Sequence, residues 1–364
     1  MTFDPDAAAL SDSGIYGLPT PLDEARFVII PVPFDATTSY RDGTRNGPEA
    51  VVEASRQVDL FDIDFGRPYE QGIAVLPSTH AFVRSIVRLN TEARKFSAPV
   101  IAAGGEVEGK PKLQKALAET NRRSEEVNRL VEKICRDQLD EGRTPVVLGG
   151  DHSTPFGALR AYGARHPGLG LLHIDAHADL RDAFEGFTWS HASIMNNVVR
   201  RIGAKGGVAT LVQVGLRDVG EREHDMITTP RPRGESTIKA FFDAPLKARL
   251  FGGGKWSSIC DEIVGHLPKK VYVSFDIDGL DPVLCPDTGT PVPGGLSFNE
   301  MLELLRALGR NGRRIVGFDL NEVAPSSRTP RADWGGDWNA NVGARVLYKM
   351  IGAAAMAGSP AAER

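Results

Sequence analysis

The sequence predicts an α/β fold of three layers, with a central parallel sheet between two layers of helices. Three observations predict it. Short apolar, β-branched runs recur along the chain, and helical periodicity fills the stretches between them. Carboxylates and imidazoles also follow directly after three of the runs, where open parallel sheets place their ligand sites.

In chain order the strand-like runs are Phe27–Val32, Pro145–Leu148, Leu169–Ile174, Thr210–Val214, Lys270–Phe275 and Arg314–Phe318. Pro48, just after Gly47, suits a first helical turn. The longest helical pattern covers about 112–141, where Leu113, Leu117, Val127, Leu130, Ile134 and Leu139 recur at roughly three- and four-residue spacing. Ser297 with Glu300 three residues later forms a capping box that opens a helix through Leu308. Residues 1–24 read as an extended N-terminal extension and 25–358 as one domain. Residues 228–255, rich in Pro, Gly and basic side chains, read as a loop. The extension and the loop are each either a cover for a site mouth or a solvated excursion.

Composition narrows the function classes. The 364 residues are 41% hydrophobic and 25% charged, enough for a substantial core in a globular chain. A net charge of −4 excludes a globally basic nucleic-acid binder. Cys135, Cys260 and Cys285 are too few and too scattered for a disulfide framework or a thiolate cluster, which favours a reducing, cytoplasmic location. The first thirty residues carry acids and no long apolar run, so no secretory signal is expected. No apolar stretch reaches the roughly eighteen residues needed to cross a bilayer, so no membrane partner is expected either.

The chemistry lies in three segments. Val146–Leu148 runs into Gly149-Gly150-Asp151-His152-Ser153, Leu172–Ile174 into Asp175-Ala176-His177-Ala178-Asp179, and Val273–Phe275 into Asp276-Ile277-Asp278-Gly279-Leu280-Asp281-Pro282. Carboxylates directly after apolar strands are costly unless something compensates their charge. Alternate residues of an extended chain share a side, so Asp175, His177 and Asp179 converge, as do Asp276 and Asp278. With His152, two imidazoles and four carboxylates are available. Four carboxylates exceed the needs of one divalent ion and balance two. The oxygen-rich set with two nitrogens suits Mn²⁺, and the imidazoles leave Ni²⁺, Co²⁺ or Zn²⁺ open. A single Asp-x-Asp is ordinarily a cap, a turn or a Mg²⁺/Ca²⁺ loop; three such clusters on successive strands point to metal.

These three segments resemble, in order and spacing, the signatures of the ureohydrolase family, which includes arginase, agmatinase, guanidinobutyrase and the guanidine hydrolases. The resemblance runs from about Val28 to Ile351, and Pro286–Ser297 is more similar to the agmatinase branch than to arginase proper. It implies an arginase-like fold, two Mn²⁺ or Ni²⁺ ions, a small guanidinium substrate and a homotrimer or homohexamer. His152, Asp175, Asp179 and Asp276 would hold one ion, and Asp175, His177, Asp276 and Asp278 the other. Glu322, in Gly317–Pro325, resembles the guanidinium-binding carboxylate, and His191 the proton-shuttling histidine, with an ordinary imidazole pKa. Asp179 would pass a proton to the departing amine. His80, His166, His224 and His266 lie outside the motifs, and His173 is expected to point away from the carboxylates.

The reaction follows from the substrate. A guanidinium carbon is a poor electrophile, and ions that bring the pKa of water from 15.7 to near 7 supply the missing nucleophile. A carboxylate meets the planar NH₂ pair with bidentate, charge-assisted hydrogen bonds. Arginine is not the expected substrate, because Arg181–Ser190 departs from the arginase head-group loop and Ala192 stands where Gly is usual. Phe184, Phe187 and Trp189 near His191 make either an apolar pocket wall or ordinary core. The segment Phe34–Arg41 and the Thr188-Trp189-Ser190-His191 run resemble hydrolases of free guanidine or short guanidino compounds, which places Thr188 and Trp189 at the substrate. Agmatinase, guanidinobutyrase and formimidoylglutamase activities are the alternatives, the last from Asp179-Leu180-Arg181. A catalytically lapsed metal-binding subunit is a further one, although every ligand, His191 and Glu322 are present.

Overall fold

Strands buried on both faces read as unbroken apolar runs, and this explains why six of them were legible. The computed structural model describes residues 3–10, 13–231 and 235–356. Residues 1, 2, 11 and 12 of the predicted extension, 232–234 of the predicted loop and 357–358 of the predicted domain lie outside the described residues. The strands are β1 (Phe27–Val32), β2 (Ile73–Val75), β3 (Thr144–Gly149), β4 (Leu169–Ile174), β5 (Val208–Leu216), β6 (Thr237–Phe242), β7 (Lys270–Asp276) and β8 (Arg314–Asn321). They form one sheet in the order β2-β1-β3-β8-β7-β4-β5-β6, parallel at every pairing.

Alternation along each strand divides the apolar side chains between two cores. Phe27, Ile29, Val146, Leu148, Leu172 and Ile174 face helices Gly47–Ser55, Trp256–Gly265, Phe298–Arg310 and Trp338–Met356. Val28, Ile30, Val147, Leu169 and Leu171 face helices Ala81–Ala102, Pro111–Asp140 and Phe156–Arg165. The three layers are therefore as predicted. The capping box closes as expected, with Ser297 Oγ accepting from Glu300 N at 3.2 Å and Glu300 Oε2 from Ser297 N at 2.8 Å.

Two readings need correction. Residues 228–255 are not one loop over a site: they contain β6, paired with β5 from Thr210↔Thr237 to Leu216↔Phe242, and helix Asp243–Phe251. An edge strand has one partner and need not be apolar throughout, so its sequence is weakly marked. The N-terminal segment is not at a site mouth either. Ile15, Tyr16 and Leu18 are buried in the first core, where Tyr16 Oη donates to Ala344 O at 3.0 Å and its ring lies 4.7 Å from that of Tyr348.

Topology chooses where a site can form. From β4 the chain moves outward to β5, whereas from β7 it returns to β8, so the crossovers diverge at the β7–β4 boundary. A crevice opens at such a switch point, beyond the carboxyl ends of the strands. The glycine pair at the end of β3, Gly149 and Gly150, lets the backbone enter it. A Cβ on Gly149 would lie 2.0 Å from Asn321 Oδ1, and one on Gly150 would lie 2.1 Å from Phe34 O. The second obstacle is backbone and cannot swing aside. Gly150→Ala should therefore cost about 1–3 kcal/mol of stability, read as a lower Tm; an unchanged Tm would mean that the β1–β3 contact is not tightly packed.

Candidate metal centre and active site

Register brings the charged residues together before any side chain is considered. Ile174 pairs with Phe275, so Asp175 and Asp276, each one residue further on, leave adjacent strand ends. His152 arrives three residues past β3, and Asp278 sits in the short turn Ile277–Gly279, its N–H donating to Asp276 Oδ1 at 2.9 Å. Arg217 pins this turn by donating to Asp278 O at 2.6 Å and Leu280 O at 3.1 Å.

The six predicted ligands converge in two groups. His152 Nδ1 lies 3.1 Å from Asp175 Oδ2, 3.6 Å from Asp179 Oδ2 and 3.0 Å from Asp276 Oδ2. His177 Nδ1 lies 3.5 Å from Asp175 Oδ1 and 3.1 Å from Asp278 Oδ2. Asp175 thus belongs to both. Asp276 meets the first group directly, while its other oxygen is occupied by the Asp278 N–H.

The donors fit cations. Ser274 Oγ donates to Asp319 Oδ1 at 2.9 Å, so at 2.9 Å from His152 Nε2 it serves as that proton's acceptor. A neutral His152 then turns its Nδ1 lone pair toward three carboxylates, which repel it unless a positive charge intervenes. A proton can play that part: burial opposes it, but the hydrogen bonds to Asp175 and Asp276 prevail and hold the imidazole pKa well above its usual value. The carboxyls are divided in the same way. Burial, then the charge of Asp175, pushes Asp179 well up, and burial, then Asp278, does so for Asp276. Asp175 is held well below its usual value: burial opposes ionisation, but His173 and the hydrogen bonds from His152, His173 and His177 outweigh it. Divalent ions would let all of these carboxylates ionise together.

His173 corrects the sequence reading. It stands two residues before Asp175, and extended-chain parity puts both on one side. Its Nε2 is 2.7 Å from Asp175 Oδ2, and its buried imidazole is pushed below the usual value by burial. Ser274 and Asp319 hold the corresponding positions, two before Asp276 and Asn321. A polar residue two positions ahead of each strand-end group was the signal available.

Above the ligands lies a pocket of about 370 Å³, lined by Ser39, Tyr40, Phe184, Glu185, His191 and Glu322, among others. Glu322 Oε1 accepts from His152 N at 3.0 Å; Oε2 is buried and has no partner among the described residues. Burial and then Asp276 raise this carboxyl well above its usual value. Glu322 and Asp179 are two of the four described non-glycine residues with positive φ, at 62° and 53°. Such strain persists where the surroundings enforce it, and it gathers at functional sites.

His191 lines the pocket with its ring edge-on to Phe184, centroids 5.9 Å apart. Its pKa is not the ordinary one expected: burial first, then His177 and His152, push it down to about 4, so the imidazole is neutral at pH 7. Trp189 and Thr188 are not brought to the substrate pocket. Trp189 packs on Phe156 at 4.9 Å, with the Arg201 guanidinium 4.7 Å from its ring, and both line a different cavity. Thr188 is tied through its backbone to Asn121 and Asn197. Phe187 is fully buried core. Of the three aromatics only Phe184 remains on the wall, and Arg181 lies over it at 4.9 Å.

A parallel sheet carrying a doubled Asp/His cluster at its switch point defines a binuclear metal hydrolase. The arginase family model matches residues 25–352, and the chain belongs to that family. It is 33% identical over 335 residues to an N(1)-aminopropylagmatine ureohydrolase of Thermus thermophilus, covering 92% of each chain. Among solved structures, the agmatine ureohydrolase of Thermoplasma volcanium is similar at TM-score 0.65 and 24% identity, over 95% of each chain. The Trypanosoma cruzi formiminoglutamase with Mn²⁺ is similar at TM-score 0.65 and 16% identity, over 96% of this chain and 100% of the other. The protein is a hydrolase of C–N bonds in linear amidines, of the agmatinase-like kind, and its family uses a binuclear divalent metal site. No described helix is long and apolar enough to cross a membrane.

Metal should stabilise the fold. At 100 times Kd, a bound ion contributes about 2.7 kcal/mol, so Mn²⁺ should raise the Tm of chelator-treated protein by several degrees. Asp175→Asn, which alters the carboxylate common to both groups, should remove most of that rise. A parent protein whose Tm ignores Mn²⁺ and Ni²⁺ would count against the centre.

Proposed function

We propose that this pocket hydrolyses the guanidinium end of a small guanidino compound and releases urea. The observation that carries the reading is Glu322, which lines the pocket above the cluster and whose buried Oε2 has no partner among the described residues. A buried carboxylate oxygen without a donor is costly, and a guanidinium N–H pair supplies what it lacks. His152, Asp175, Asp179 and Asp276 would hold one ion and Asp175, His177, Asp276 and Asp278 the other. Mn²⁺ comes first, because oxygen donors dominate and the Trypanosoma relative carries it; Ni²⁺ is the alternative. When bound, these ions make water ionise near neutral pH.

The chain's own groups do the rest. Glu322 accepts from two guanidinium N–H groups and fixes the carbon over the ligand cluster. Asp179, in the first group beside His152, would carry a proton from the attacking water to the departing amine as the C–N bond breaks. His191, at the pocket wall, would relay protons between the site and solvent.

For the substrate, an aminoalkylguanidine of the agmatine kind fits first. The pocket is far larger than guanidine needs, and Glu185 and Asp218 line it; Glu185 Oε2 is buried without a partner among the described residues. The Thermus relative is named for such a compound. Arg181 on the same wall repels a second positive charge, and this favours the free guanidine or short guanidino compound expected from the sequence. We also place the chain in a reducing compartment, since its three cysteines are free and buried, and in a homo-oligomer, since Phe61, Ile63, Val283 and Trp338 are exposed.

Urea release from guanidine, agmatine, 4-guanidinobutyrate and arginine, with Mn²⁺ and with Ni²⁺, tests the reading. Glu322→Gln replaces an acceptor by a donor and loses at least one hydrogen bond to a charged group, worth about 1.5–3 kcal/mol. Its kcat/KM should fall at least tenfold on whichever compound is cleaved, with metal content unchanged; full activity would place the guanidinium elsewhere. His191→Ala should lower kcat about 10²–10⁴-fold and keep its metal, and loss of metal would make it a ligand. Glu185→Gln should raise KM for agmatine roughly fivefold, about 1 kcal/mol, and leave guanidine unaffected; equal effects on both would remove Glu185 from tail recognition.

A further inference from the structure

One polar row crosses the sheet beneath the ligands. Gln213 on β5 pairs with His173 on β4, His173 with Ser274 on β7, and Ser274 with Asp319 on β8. All four are fully buried, flanked along their strands by buried apolar residues such as Leu172, Val212, Val273 and Phe318. A buried polar residue needs a partner, and each of these has one that leads toward a ligand.

The row has a direction, set at Gln213. Its Nε2 lies 2.8 Å from Ala178 O and 2.9 Å from His173 Nδ1. A carbonyl only accepts, so the amide must turn its nitrogen to Ala178. The reversed amide would set oxygen against oxygen. The observed orientation is kept although Gln213 Oε1 then has no partner among the described residues. The second amide proton points at His173 Nδ1, which must therefore be the acceptor. In the neutral ring this leaves the proton on Nε2, 2.7 Å from Asp175 Oδ2. The opposite tautomer would place a lone pair against that carboxylate and a proton against the amide.

We propose that Gln213, which touches none of the ligands, is a positioning residue: through the tautomer of His173 it orients the Asp175 carboxylate for both ions. The proposal rests on the metal-binding reading for its consequence, but the tautomer itself does not depend on it. Partners one step behind a ligand typically change metal affinity 10–100-fold.

The experiment combines a spectrum with a double-mutant cycle. In chelator-treated protein labelled with ¹⁵N-histidine, His173 should show a protonated Nε2 and a bare Nδ1. A protonated Nδ1 would overturn the proposal, whatever the protein does with metal. Gln213→Leu should raise the Kd for Mn²⁺ about 10–100-fold, with Tm of the metal-free protein recorded to confirm folding. His173→Gln supplies an amide donor toward Asp175 that has no tautomer to set. On that background Gln213→Leu should change Kd less than twofold. A purely structural role would give the same loss in both backgrounds and would sink the idea, as would a Gln213→Leu protein that binds Mn²⁺ like the parent. A parent that binds no Mn²⁺ or Ni²⁺ at all would fail the metal reading separately, and the spectrum would still decide the tautomer.

Discussion

Four aspartates and two histidines meet at the ends of three strands, all but His177 buried, and the fold has to accommodate their charge. Coulomb repulsion among carboxylates this close is severe at low dielectric. The burden is spread unevenly: His173 and three hydrogen bonds hold Asp175 well below its usual pKa against burial, while burial and neighbouring carboxylates push Asp179 and Asp276 well above theirs. Divalent ions held among them would let all of these carboxylates ionise together.

The sheet exists to hold that cluster still. Parallel register sets Asp175 beside Asp276, Gly149 and Gly150 let the chain pass close to Asn321 and Phe34 on its way to His152, and Arg217 clamps the turn that bears Asp278. Two residues pay for their placement with left-handed backbone, Asp179 at the cluster and Glu322 at the pocket. The helices contribute by closing both faces, so the polar row under the ligands has no access to water and must find its partners within the sheet.

Most of this was legible in the sequence where physics left one option. β1 and β4 begin and end where their apolar runs do, because both faces are buried. The convergence of these side chains could be read because carboxylates after apolar strands admit few explanations. β2 was invisible, being three residues long, and β6 was hidden because it is an edge strand among Pro and Gly. Trp189 was misplaced for a different reason. Nearness to His191 along the chain says nothing about direction, and the ring found Phe156 and Arg201 on the far side. His173 was within reach, since strand parity alone puts it with Asp175.

The pocket's upper wall carries both signs of charge, Glu185 and Asp218 against Arg181, so substrate choice is a contest between them, whereas the chemistry below is common to any guanidinium. That common chemistry stands on two ions per chain. Crystals grown with Mn²⁺ and measured where manganese scatters anomalously test it most directly. The account predicts two anomalous peaks, one among His152, Asp175, Asp179 and Asp276, the other among Asp175, His177, Asp276 and Asp278. A single peak at full occupancy, or peaks away from these side chains, would contradict it.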